Sequence, residues 1–159
     1  MLKKKLLTII TVAMLVITGS LALTGCSKKE SVTPDKFETK AESLGFKVND
    51  ITLKNYKNYD YVDYALQAVD KNDSGCEVEF IVAADSTYAS KIYASNKASF
   101  ESAGAIGTDA NSVTNYDAYT AESGGRYRHL CRINNTIVFV DVLEKYKSQV
   151  DELLTAIGY

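Results

Sequence analysis

The chain has 159 residues, 46% of them hydrophobic, with 18 basic and 20 acidic side chains and a formal charge of −2. That is the make-up of a folded domain, and an acidic balance without a basic groove interleaved with aromatics excludes nucleic acid as a partner. One histidine, three cysteines and no tryptophan, against eleven tyrosines, leave few residue types able to carry chemistry.

The N-terminus has the layout of a removable address. Lys3, Lys4 and Lys5 form a positive segment, Leu6 to Leu23 an uncharged run, and small residues follow. The run borders on the ~20 residues that cross a bilayer, so hydropathy alone fits an anchor helix as well as a leader. The tetrapeptide Leu23-Thr24-Gly25-Cys26 separates the two, because it resembles a bacterial lipobox. In the lipoproteins that it resembles, the Cys sulfur receives a diacylglyceryl group and a peptidase cuts before it. The resemblance implies a signal peptide over 1–25, lipidation at Cys26 and residence on the extracytoplasmic face of the cell membrane. Each buried CH₂ of the acyl chains would contribute about 0.8 kcal/mol to anchoring.

Loss of residues 1–25 leaves 134 of the 159, one domain's worth; without the three leader lysines, 15 basic residues face 20 acidic ones, a formal −5. Residues 26–32 read as the lipidated Cys and a flexible polar tether, and 33–159 as a single α+β domain. Thr33-Pro34-Asp35 is a helix start, with a hydroxyl cap, Pro where its missing N–H is harmless, and an acid facing the dipole. Phe37, Ala41 and Leu44 share a face, and Gly45 ends the helix. Phe46, Val48 and Ile51 to Leu53 predict a strand, Tyr61 to Val69 a second, and Cys76 to Phe80 a third, paired back through the Asn72-Asp73-Ser74-Gly75 turn.

Asp85-Ser86 caps a second predicted helix with the stripe Ala89, Ile92, Tyr93, Phe100 and Ala103, ending at Gly104. Strands are then expected at Val113 to Ala121, Arg126 to Ile133 and Thr136 to Val142, and a last helix carries Tyr146, Val150, Leu153, Leu154 and Ile157. Glu42-Ser43-Leu44-Gly45 and Glu101-Ser102-Ala103-Gly104 stand 59 positions apart, and the same offset lays Phe80 on Phe139. An internal repeat over 33–85 and 86–142, with 143–159 as a terminal helix, accounts for this; so does coincidence at two helix stops. The expected fold is a two-layer α+β domain, a duplicated helix plus three-stranded antiparallel meander in the order α-βββ-α-βββ-α, with helices packed on the sheet.

His129 and Cys131 alternate on one strand, but residues i and i+2 lie about 6.6 Å apart at Cα, awkward for a nucleophile pair. No metal-ligand spacing accompanies them. Cys76 and Cys131 alternate with apolar neighbours and read as small core residues, with a disulfide open to them outside the cytosol. Arg126, Arg128 and Arg132 are the only arginines and share a strand face. They read either as a fork for an anionic ligand or acidic partner, or as a solvated row paired with Asp117 or Glu122. Tyr56, Tyr59, Tyr61 and Tyr64 crowd one connection, either as a binding surface or as half-buried sheet positions.

No nucleophile elbow, phosphate loop or paired acids appear, so neither an enzyme, a cofactor nor a resident metal is expected. The expected function is a noncatalytic membrane-anchored surface lipoprotein that binds a protein, wall polymer or small ligand. The alternative is an inhibitor or modulator of a secreted enzyme, since tandem helix-plus-meander units look similar in outline to beta-lactamase inhibitory protein and PepSY domains. A lipobox ahead of a Lys-, Asn- and Tyr-rich domain also resembles the small surface lipoproteins of Gram-positive bacteria.

Overall fold

The computed structural model describes residues 28–113 and 115–159. The signal peptide expected over residues 1–25 and the expected lipidation at Cys26 lie outside the described residues.

Local signals start and stop the first elements. Thr33 Oγ1 accepts from Lys36 N at 3.3 Å and opens α1 (Pro34–Ser43), and Gly45 at φ +90° turns the chain into β1 (Phe46–Asp50). The expected continuation of that strand to Leu53 fails. Asp50 Oδ1 accepts from Thr52 N at 2.8 Å, and Thr52 Oγ1 accepts from Ala65 N at 2.8 Å, so a short helix α2 (Thr52–Asn55) begins instead. Leu53 is left 82% exposed.

β2 (Val62–Asp70) and β3 (Glu77–Ala83) follow, then α3 (Ser86–Ser102), capped by Asp85 through Tyr88 N at 2.8 Å. β4 (Gly107–Val113), β5 (Tyr116–Ser123), β6 (Arg126–Ile133) and β7 (Thr136–Leu143) form a meander. A 3-10 turn (Glu144–Tyr146) leads into α4 (Lys147–Ile157). Among the described residues the fold is α+β, with one sheet of seven antiparallel strands in the order β1-β2-β3-β7-β6-β5-β4. Two three-stranded meanders do not describe it: β4 is an additional strand in a polar stretch, and β3 pairs with β7 to fuse the two halves.

The core lies on both sides of this sheet. Phe37 and Ala41 of α1 and Val150, Leu153 and Ile157 of α4 pack on Val78, Phe80, Val138 and Val140. Ala89, Tyr93 and Phe100 of α3 pack on Ala65, Ile81, Leu130 and Ile137 across the sheet. The expected two layers are therefore three, because β3 and β7 carry apolar side chains at consecutive positions and leave no wet face. Each fully buried Phe or Leu contributes roughly 1.5–3 kcal/mol; Phe37 and Phe80 also stack, with centroids 4.8 Å apart.

The repeat at offset 59 does not survive this arrangement. Phe80 pairs with Val138 while Phe139 pairs with Glu79, so the phenylalanines that the offset equates lie on opposite faces. Their helices do too, α1 on one and α3 on the other. The two Glu-Ser-x-Gly matches are a shared way of ending a helix, with Gly45 and Gly104 both left-handed at φ +90° and +81°.

Residues 28–32, expected as free spacer, lie against the body. Lys29 O accepts from Asn115 Nδ2 at 2.8 Å, Lys29 Nζ sits 4.0 Å from the Tyr116 ring centroid, and Val32 is buried in the core beneath α1. They occupy the end of the sheet where β2 begins opposite the end of β3, Val62 facing Ala83, and β7 begins opposite the end of β6, Thr136 facing Ile133. The start of α3 and the Tyr56–Tyr61 connection share that end: Ala84 N donates to Tyr61 O at 3.0 Å and Asn135 Nδ2 to Ala83 O at 3.0 Å.

Candidate functional site

The best-formed concavity is a cleft of about 600 Å³ between α3 and the Tyr56–Tyr61 connection, lined by Tyr56, Tyr59, Tyr61, Val62, Ile81, Tyr88, Lys91, Ile92, Ser95 and Asn96. The rings form a continuous ladder. Tyr56 and Tyr59 meet edge to face at 6.0 Å, Tyr59 and Tyr61 edge to face at 5.5 Å, and Tyr61 stacks on Tyr88 at 5.4 Å with 10° between planes. Lys91 Nζ lies 5.1 Å from the Tyr88 centroid. At the inner end Tyr56 Oη donates to Glu79 Oε2 at 3.0 Å. Burial pushes the Glu79 carboxyl above the usual range, against the pull of that hydroxyl, and burial together with the Glu79 charge raises the Tyr56 phenol. Tyr59 and Tyr88 form the outer rim, 46% and 39% exposed. The site can hold an amphipathic guest: ring faces for apolar surface, and hydroxyls, an ammonium and an amide for polar groups.

Of the tyrosines expected to share a surface, Tyr56, Tyr59 and Tyr61 do so and Tyr64 does not. A β-bulge at Asp63 is the reason. Val62 pairs with Ala83 and Tyr64 with the adjacent Val82, so one extra residue on β2 turns Tyr64 to the α1/α4 face, where it packs beside the core and near Asp50. Tyr88, Lys91 and Ser95 are not among the residues singled out in the sequence, while Ile92, expected in the buried stripe of α3, lines the cleft beside them. With Ile92 they stand at i, i+3, i+4 and i+7 on α3, so the helical period that marks its buried stripe also marks this flank.

The three arginines of the row share two carboxylates, Asp141 and Asp117. Arg126 donates from Nε to Asp141 Oδ1 at 2.5 Å and from Nη2 to Asp141 O at 2.7 Å; Arg128 Nε lies 3.3 Å from the same Oδ1. Arg132 donates from Nε to Asp117 Oδ2 at 2.6 Å and from Nη1 to Asn134 O at 3.2 Å. Arg128 and Arg132 are buried at 8% and 5% exposure, with Arg128 over the Phe100 ring of α3. Arg128 lies under α3, whereas the Arg126 side chain keeps 37% exposure and Arg132 lines a hollow with Ser86, Thr87 and Asn134, so the three do not form one solvated face. Asp117 is the expected partner; Glu122 instead lies 3.7 Å from Lys147.

Cys76 and Cys131 are both free and buried. Cys131 faces Val138, Val138 faces Phe80, and Cys76 lies four residues from Phe80, which sets the two about 16 Å apart on strand spacings. A bridge needs Cα atoms within about 7 Å, so the disulfide option is overturned. Burial raises the Cys76 thiol to about 11 and the Cys131 thiol to about 12, far from nucleophilic thiolates. His129 Nδ1 lies 2.9 Å from Thr120 Oγ1 while Nε2 is buried without a partner, and burial lowers the imidazole to about 4. Among the described residues no group of three or more His, Cys, Asp or Glu is placed to hold a metal ion, and no helix is long and apolar enough to cross a membrane.

No family model matches the chain, and no curated protein does. Among solved structures, a GTP binding regulator from Thermotoga maritima is similar in fold, with a TM-score of 0.51 over 83% of this chain and 92% of its own, at 13% identity. That likeness concerns the path of the backbone alone.

Proposed function

We propose that this chain is a noncatalytic lipoprotein held at the extracytoplasmic face of the cell membrane through Cys26, and that the tyrosine cleft beside α3 binds an envelope or extracellular ligand. The cleft carries the reading: its ladder of four tyrosines, with Lys91, Ser95 and Asn96 alongside, is the best-formed concavity among the described residues. Rigid, amphipathic rings give large contact area for few frozen torsions. The lipobox Leu23-Thr24-Gly25-Cys26 supports the anchoring. The raised thiols and the lowered imidazole support a noncatalytic role, since neither nucleophile nor base is poised near neutral pH.

Radiolabelled palmitate should enter the wild-type chain and not Cys26→Ala; an unlabelled wild-type chain would sink the anchoring. Binding to isolated wall sacculi and to envelope-lipid vesicles should weaken about tenfold or more on replacing Tyr61 and Tyr88 with Ala. Equal binding of both forms to every fraction would remove the cleft as the site. Recovery of a single secreted enzyme in stoichiometric amount would favour the inhibitor or modulator reading instead.

A further inference from the structure

Resting on the reading that Cys26 carries the anchor, we infer that the end of the domain bearing residues 28–31 and the Tyr59–Tyr61–Tyr88 rim is seated in the phospholipid headgroup layer, which makes the headgroups themselves the guest at the mouth of the cleft.

The link is too short for any other posture. From Cys26 to Lys28 is two Cα steps, at most about 7 Å of chain, and the headgroup zone on each side of a bilayer is about 5–8 Å deep. The next residues cannot pay out more chain, because Lys29 is bonded to Asn115 at 2.8 Å and Val32 is buried in the core. The body is therefore held within a headgroup's depth of its own lipid.

What faces the bilayer follows from continuity along this end. Lys28, Lys29, Asn115 and Asn134 line one hollow; Asn115 and Asn134 with Ser86, Thr87 and Ser90 line the adjoining one. Tyr88 is the next residue of α3 and stacks on Tyr61. Exposed tyrosines suit a boundary where one side is apolar and the other wet. Charge is a minor driver of the contact, since Lys28, Lys29, Lys57 and Lys91 stand there against Glu30, Asp60 and Asp85, a net of one positive charge. The opposite end, with Lys71 and the Asp73–Gly75 turn, stands a strand length away, about 25 Å.

The chain contains no tryptophan, so a single introduced one reports its own depth. In vesicles whose lipids carry bromine near the headgroup, the reconstituted lipoprotein with Tyr59→Trp should lose roughly half its fluorescence or more, and that with Lys71→Trp should be unaffected. The Tyr59→Trp loss should persist in high salt; its disappearance would overturn the minor role of charge in the contact. Insertion of about ten Gly/Ser residues after Ser27 adds ~17 Å of coil and should reduce the loss, and an unchanged signal would overturn the short link as its cause. Equal quenching at both tryptophans, or none, with mass spectrometry showing lipid on Cys26, would overturn the seating and leave the anchoring intact. An unmodified Cys26 would end both.

Discussion

A neutral imidazole enclosed by Thr120, Tyr127 and Val140 makes His129 a liability in acid. Unfolded, the ring titrates near 6.5; folded, near 4. Between those values the unfolded chain binds the proton and the folded chain does not. Stability is thus full above about pH 6.5 and falls as the pH drops to about 4, by up to ~3 kcal/mol. Urea unfolding of wild type and His129→Gln at pH 7.5 and 4.5 should show the variant losing less; parallel losses would refute the assignment. The Arg132–Asp117 pair makes a second prediction. Asp117→Ala leaves a guanidinium buried at 5% exposure without its carboxylate, and should cost about 3 kcal/mol in the same assay, whereas Arg132→Met with Asp117→Leu should cost far less. At this scale the sequence is legible where the partner is near in the chain: the Thr33 and Asp85 caps and the Gly45 stop all behave as read. It is illegible where the partner arrives from elsewhere, as Asp141 does for Arg126 and Arg128.

Elements with a strong period were readable almost to the residue. Arg126 to Ile133 is predicted and observed with the same bounds, and α1 and α3 begin at their caps, while the last helix, expected over 143–159, begins only at Lys147, after β7 and a 3-10 turn that holds Tyr146. β4 went unseen because Gly107-Thr108-Asp109-Ala110 has no alternation to detect; an edge strand with exposed side chains needs none. Its identity rests on Gly107. A Cβ there would meet the Tyr119 ring at 2.4 Å and Thr120 O at 2.6 Å, and Tyr119 is buried with its hydroxyl donating to Ala105 O. Gly107→Ala should therefore lift β4 from β5, costing about 1–3 kcal/mol. Hydrogen exchange would show it as lost protection at Thr108–Ala110 with β6 and β7 unchanged; uniform protection would argue against it. The bulge at Asp63 was beyond reach for a different reason. Nothing in Val62-Asp63-Tyr64 says that the partner strand advances one residue while β2 advances two.

For the molecule as a whole, the mixed α+β class was legible and the layering was not. One signal was available: Ile137 to Val140 is a continuous apolar run, the mark of a strand covered on both sides, and an expectation of one wet face passes over it. α4 covers one of those sides, so removal of residues 147–159 would bare Val78, Phe80, Val138 and Val140. The truncated chain should give no cooperative thermal transition by circular dichroism, where the intact domain gives one; a retained sharp melt would contradict the layered core.

The pairing of β3 with β7, and of α1 with α4 over one sheet face, also sets when the chain is able to close. Half of the central ladder is missing until Thr136 onward has been delivered, and α1 has only part of its bed until α4 arrives. A polypeptide wired in this way stays pliant while it is being threaded through a narrow passage and locks only once its tail is through. In the exported chain proposed above, late closure would keep the travelling polypeptide from jamming in transit.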